Sequence, residues 1–279
     1  MSTTEHPHAA EPAAERAGSP VTVRTAEHLV NPATIGRLAG RRVVVTGAAR
    51  GIGAEIARTF AAEGASVAVL DLLLDEATII AKEIDGLAVG TDLSDAEATR
   101  VAMTAAITHL GGIDILVNNA GVLKFSPLLD IDIEDWDLTF DVNVRAMLVT
   151  TQVAAKRMIA DGTGGKIVNM ASMGGKLGAP NQAHYAASKG AVISLTQVAA
   201  MELGPHQINV NCICPGYVLT EMGAATRTQA MIDAWSAKSP LGRLGCPGDV
   251  AKMALFLASA DSDYCTGQAM NVTGGMMMQ

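Results

Sequence analysis

Seven short apolar runs, each separated from the next by a longer amphipathic stretch, constrain this chain more than any other feature. They are RRVVVT (41–46), SVAVL (66–70), GLAVG (86–90), IDILVN (113–118), GKIVNM (165–170), INVNCIC (208–214) and AMNV (269–272). Runs of this length that are apolar on both sides suit strands covered on both faces. The segments between them, such as AEIARTFAAEG, DAEATRVAMTAAITHLG and GAVISLTQVAAMELG, read as helices. Alternating strand and helix predicts an α/β, doubly wound, Rossmann-type parallel sheet of about seven strands with helices on both faces.

The 279 residues are enough for one full core, and no repeat or composition break divides them. Residues 1–36, rich in Ala, Pro, Glu and His, show no sustained hydrophobic period and read as a flexible tail on a single domain spanning 37–279. His6 and His8 in that tail read as solvated. A net charge of -8 argues against nucleic-acid partners, because phosphate binding needs clustered Lys and Arg. No apolar run is long enough to span a membrane and no secretory pattern opens the chain, so a cytosolic protein without a membrane partner is expected. The four cysteines (Cys212, Cys214, Cys246, Cys265) show no metal-ligand spacing and read as structural thiols; no metal site is expected.

Two places carry chemistry. After the first strand comes TGAARGIG (Thr46–Gly53), where Gly47, Gly51 and Gly53 permit a tight turn and close approach of a pyrophosphate to a helix N-terminus. Asp71, 18 residues after Gly53, can accept hydrogen bonds from both ribose hydroxyls, and it would repel the 2′-phosphate of NADP. Arg50 is the counter-argument, since it could hold that phosphate; Asp71 could also simply cap the helix that follows. The balance favours NAD. The second place is HYAASKGAV (184–192), where Tyr185 and Lys189 share one helix face. The ammonium there would lower the pKa of the phenol toward the range useful for proton transfer.

These motifs, with NNAG (Asn118–Gly121), YAASK and Pro215–Gly216, resemble the short-chain dehydrogenase/reductase family from Arg41 to Gln279. The resemblance implies catalytic roles for Asn143, Ser172, Tyr185 and Lys189. Tyr185 would be the general acid/base, and Ser172 would orient the substrate oxygen. Lys189 would tune Tyr185 and bind the nicotinamide ribose, while Asn143 would hold a water linking Lys189 to solvent. It implies NAD contacts from Gly47, Arg50, Gly51, Ile52, Gly53, Asp71, Asp92, Leu93, Asn119, Gly121, Tyr185, Lys189, Pro215, Gly216, Val218 and Thr220. Asn118 is expected to be structural.

Substrate choice is expected in a lid at 217–242, with Met222, Met231 and Trp235, and in the loop SMGGKLGAPNQAHY. The loop and the ending YCTGQAMNVTGGMMM are similar to members acting on sugar alcohols and small diols. An NAD-dependent dehydrogenase interconverting a small polyol and its ketose is therefore expected. A 3-oxoacyl-thioester reductase is the alternative, and a catalytically idle nucleotide sensor a third reading. The family also implies a homotetramer, and in some members a metal at the C-terminal carboxylate, here that of Gln279.

Overall fold

The computed structural model describes residues 36–220 and 228–278. Nearly all of the expected tail lies outside the described residues, as do Met222 and Gln279. Leu38, slightly before the first expected strand, is already buried.

Seven strands form one parallel sheet in the order β3-β2-β1-β4-β5-β6-β7: β1 Arg42–Thr46, β2 Ser66–Asp71, β3 Leu87–Gly90, β4 Ile115–Asn118, β5 Gly165–Met170, β6 Ile208–Pro215 and β7 Ala269–Val272. The helices are α1 Gly51–Ala62, α2 Leu74–Glu83, α3 Ala96–Leu110, α4 Ile133–Phe140, α5 Ala146–Asp161, α6 Ala183–Leu203, α7 Gln229–Ser236 and α8 Pro247–Ala258.

Alternate residues of each strand feed two apolar layers. On one face Val43, Val45, Val67 and Val69 pack with Ile56 and Phe60 of α1 and with Val250 and Leu255 of α8. On the other, Val44, Ala68, Leu70 and Leu116 pack with Met103 of α3 and Met158 of α5. This is why each strand reads as a continuous apolar run rather than an alternating one.

The strand order reverses between β1 and β4, so the connections leave this pair in opposite directions and open a crevice at the carboxyl ends of the strands. The opposite end of the same pair is braced. Arg42 donates to the Asp114 carboxylate from its backbone N–H (2.8 Å), Nε (2.8 Å) and Nη2 (2.9 Å). A π-helical turn, Asp141–Arg145, joins α4 to α5 and carries Asn143 into the interior.

Candidate active site

The glycine loop sits at the crevice between β1 and β4. Gly47 and Gly51 have φ of +62° and +54°, in the left-handed region. A Cβ on Gly47 would lie 2.7 Å from the Ala120 Cα, and one on Gly53 would lie 2.2 Å from the Gly47 carbonyl oxygen. Gly51 faces Thr220, whose Cγ2 would be 3.5 Å from an added Cβ, and Ile52 packs against the α1 core. No side chain caps the N-terminus of α1 and no acidic residue stands in its first turn. That end therefore presents unshared N–H groups and the positive end of the helix dipole to an anion.

Asp71 accepts from the backbone N–H of Ala49 (2.9 Å) and of Leu73 (3.0 Å), tying the end of β2 to the glycine loop. It is not the N-cap of α2; Leu73 occupies that position without a capping side chain. The Arg50 guanidinium is paired with the carboxylate of Glu76 on α2, the Nη2–Oε1 contact being 2.6 Å. Asp92 accepts from the N–H and hydroxyl of Ser94 (2.8 and 2.7 Å) beside buried Leu93. Asn119 donates from Nδ2 to the carbonyls of Thr46 (3.1 Å) and Gly47 (2.8 Å), which commits both its amide hydrogens to holding the loop. Asn118, as expected, is structural: it bridges Thr150 and Asn169 across β4 and β5.

Next to this loop, β5 ends and α6 begins. Ser172 is in extended backbone, with its Oγ accepting from the Gly174 N–H (3.0 Å); a Cβ on Gly174 would stand 3.4 Å from that Oγ and 3.5 Å from the Tyr185 Cε1, so the two side chains are neighbours. Lys189 lies one turn beyond Tyr185 on the face turned to the sheet, its Nζ 5.7 Å from the tyrosine ring centroid. That Nζ donates to the Met170 carbonyl at 2.8 Å. Gly121 makes room for this arrangement, since a Cβ there would stand 3.1 Å from the Asn143 Oδ1 and 3.3 Å from the Lys189 Nζ.

Asn143 accepts from the Val122 N–H (2.8 Å) and donates to the Val122 carbonyl (3.1 Å) and the Ser188 hydroxyl (3.0 Å). Ser188 in turn donates to the Tyr185 carbonyl at 2.7 Å, which joins α6 to the π-helical turn. The four residues expected to be catalytic are thus brought into one cluster.

The electrostatics correct one expectation. Burial pushes the Tyr185 phenol up from its ordinary value, and the Ser172 hydrogen bond only partly opposes it. Burial acts on the Lys189 ammonium too and lowers its pKa to about 8, and in the chain alone no neighbouring charge outweighs the burial of the phenol.

The far wall follows β6. Gly216 donates to the Val272 carbonyl at 2.9 Å just after Pro215, and Val218 forms a single bridge with Gly245. Tyr217 stacks on Trp235 of α7, with centroids 4.6 Å apart and planes 2° from parallel, so α7 is held over the strand end by an aromatic pair. Sequence reading missed Ser188 and Glu76 as parts of this site. The serine of YAASK was visible as a residue on the helix face that meets Asn143. Glu76 acts through a contact distant in the chain.

Comparison with known proteins agrees with this geometry. The family model described as "Enoyl-(Acyl carrier protein) reductase" matches residues 47–277. The chain is 41% identical to a galactitol 2-dehydrogenase of Agrobacterium fabrum, over 87% of this chain and 99% of that protein. It is 39% identical to an L-xylulose reductase of Bos taurus (86% and 98% covered) and 38% identical to a 3-oxoacyl-[acyl-carrier-protein] reductase of Thermotoga maritima (87% and 100%). A crystal structure of a short-chain type dehydrogenase/reductase from Mycobacterium marinum superposes with a TM-score of 0.81 at 38% identity, covering 87% of this chain and 97% of that one. The chain belongs to the short-chain dehydrogenase/reductase family and is an oxidoreductase of CH–OH groups that uses a nicotinamide cofactor.

The described residues fit such a cofactor. Neither Gly47 nor Gly53 has room for a Cβ, and the open N-terminus of α1 suits a pyrophosphate. No helix among the described residues is long and apolar enough to cross a membrane.

Proposed function

We propose that this enzyme interconverts a secondary alcohol of a small polyol and the corresponding ketose, with NAD as the preferred cofactor. The observation that carries the chemistry is the cluster of Ser172, Tyr185, Lys189 and Asn143 at the carboxyl ends of the strands.

The bound nicotinamide supplies hydride acceptance and donation at its C4. Tyr185 takes the proton from the alcohol oxygen in oxidation and returns it in reduction. Ser172, through the hydroxyl that already meets Tyr185, holds the same oxygen. Lys189, its ammonium fixed by the Met170 carbonyl, presents positive charge beside the phenol. Asn143 and Ser188 keep α6 in register with the π-helical turn, so that Tyr185 and Lys189 stay on one face. Gly47, Gly51, Ile52 and Gly53 cradle the pyrophosphate. Asp92 and Leu93 line the adenine side, Gly121 stands beside Lys189, and Pro215, Gly216, Val218 and Thr220 line the nicotinamide side.

Two contacts support the NAD preference. Asp71 stands at the end of β2, where its charge opposes a 2′-phosphate; at ~4 Å and an effective dielectric near 20, two like charges repel by about 4 kcal/mol before screening. Arg50, the cation that could offset this, is engaged by Glu76. The polyol assignment is supported by the relatives named for galactitol and L-xylulose. The relative named as a 3-oxoacyl-[acyl-carrier-protein] reductase supports a second reading, reduction of a 3-oxoacyl thioester.

A panel of linear polyols, ketoses and acyl thioesters assayed with NAD(H) and NADP(H) separates the two. Turnover confined to acyl thioesters with NADPH would overturn the proposal. Tyr185→Phe should keep cofactor affinity and lose nearly all turnover. We also propose a homotetramer, supported by the exposed Leu128, Leu129 and Ile133 on one side of the molecule.

A further inference from the structure

Tyr217 and Trp235 stack with planes 2° from parallel, yet neither ring uses its polar atom. Among the described residues the Tyr217 hydroxyl and the Trp235 indole N–H have no hydrogen-bond partner, and both residues are half-buried rather than sealed. A phenol and an indole that serve only to pack normally pair those atoms, and phenylalanine would fill the space as well. Two unspent polar atoms on the rim of a flat aromatic surface are what a hydroxylated ligand needs.

The chain fixes where this surface stands. Gly245 donates to the Tyr217 carbonyl and Leu219 to the Gly245 carbonyl, both at 2.9 Å, and the Val218 side chain is buried in the layer shared with α1 and α8. Neighbouring side chains of an extended segment leave on opposite sides, so the Tyr217 ring turns away from that layer. Strands β5 and β6 pair with Met170 opposite Ile213, which puts Ser172 level with Pro215. Tyr217 stands two residues further out, ~6.6 Å along an extended chain, a span that a linear polyol held at Ser172 bridges. Beyond α7 the chain is tied down again: buried Ser239 donates to the Gly274 carbonyl at 2.9 Å, which gives the helix that carries Trp235 a fixed footing.

We infer that the Tyr217–Trp235 stack selects a polyhydroxylated substrate, its phenol hydroxyl and indole N–H bonding hydroxyls remote from the reacting carbon; this role rests on the polyol reading above. The phenol donates and accepts while the indole only donates, and a polyol hydroxyl does both, so each pairing is complementary. An acyl chain offers neither bond. Laid on the same surface, it would strip water from both polar atoms and return nothing, which disfavours it.

The test compares a hexitol with hexane-2,3-diol, which has the same carbon chain but lacks the remote hydroxyls. Tyr217→Phe and Trp235→Phe each keep an aromatic stack and delete one polar atom. In each variant the hexitol-to-diol ratio of kcat/KM should fall by about fivefold to tenfold, carried by the hexitol KM rather than by kcat. A ratio unchanged in both variants, or a loss shared equally by the two substrates, would overturn the assignment.

A second readout needs no turnover. The chain has two tryptophans, Trp136 and Trp235. In full-length Trp136→Phe/Tyr185→Phe enzyme saturated with NAD, indole emission comes from Trp235 alone and no NADH forms. The hexitol should give a saturable change in that emission which hexane-2,3-diol at equal concentration does not reproduce; no change with the hexitol counts against the stack. The two failures are distinguishable. A hexitol that binds at Trp235 but is not oxidised by the wild-type enzyme counts against the polyol dehydrogenase reading, while oxidation with neither the ratio nor the emission responding counts against the stack.

Discussion

Replacing Lys189 with methionine should stabilise the fold while abolishing turnover, and the gain should depend on pH in a defined way. The ammonium is 3% exposed and its pKa is lowered from 10.5 to about 8 by burial. A shift of that size corresponds to about 3 kcal/mol. Because the folded pKa lies below the unfolded one, the unfolded chain binds the proton more tightly. The charged lysine therefore works against folding at full strength below about pH 8, and this penalty fades as pH rises to 10.5. Methionine has nearly the same reach, carries no proton, and gives up one hydrogen bond to the Met170 carbonyl, worth about 1 to 3 kcal/mol. That loss is nearly constant with pH, so the diagnostic quantity is the slope. Wild-type stability relative to Lys189→Met should rise by about 2 to 3 kcal/mol between pH 7 and pH 10. Urea unfolding of both proteins at equal protomer concentration across that range measures it. A difference that stays flat with pH would refute the reasoning, since it would mean the lysine is not held charged in a dry site.

Cofactor choice should respond to Asp71 and to the Arg50–Glu76 pair beside it. Asp71→Ala combined with Glu76→Gln removes a repelling charge and releases Arg50, so the NADP-to-NAD ratio of kcat/KM should rise by about tenfold to a hundredfold after screening; an unchanged ratio would show that neither group faces the 2′ position. Trp235→Ala removes the stack on Tyr217 and leaves α7 less firmly seated, so substrate KM should rise several-fold with little change in the midpoint of thermal unfolding. If instead the midpoint fell steeply with KM unmoved, Trp235 would be a plain packing residue. At the other end of the sheet, burial pushes the Asp114 carboxyl up, but the bonds from Arg42 more than reverse it and the net shift is downward. Arg42→Met should cost about 2 kcal/mol at neutral pH. The deficit should shrink in acid, because a lowered carboxylate pKa gives stability that is present above its unfolded value near 3.9 and lost below it.

How much of this was legible in the sequence follows from the range over which each interaction acts. All seven strands fall where the apolar runs stand, because burial on both faces writes itself into consecutive residues. The edges moved for local reasons: IDILVN narrows to Ile115–Asn118 since Asp114 turns to Arg42, while β6 runs on through Pro215. The helix that GAVISLTQVAAMELG suggested extends back to Ala183 and so takes in Tyr185. Glycine positions were readable because a missing Cβ is a local demand. Partners were not: Glu76 meets Arg50 across 26 residues, and Ser188 meets Asn143 across 45. The sign of the tyrosine shift was unreadable for the same reason. Adjacency of Tyr185 and Lys189 on a helix can be counted along the chain, but the dryness of their surroundings is made by β5, β6 and the π-helical turn together. A phenol and an ammonium in water would share a proton as their spacing suggests. The same pair desolvated by the fold has its phenol pushed up and its ammonium pushed down. The two proton affinities therefore move apart, the phenol holding its proton more tightly than in water and the ammonium less, so that in the chain without its cofactor Tyr185 rests protonated.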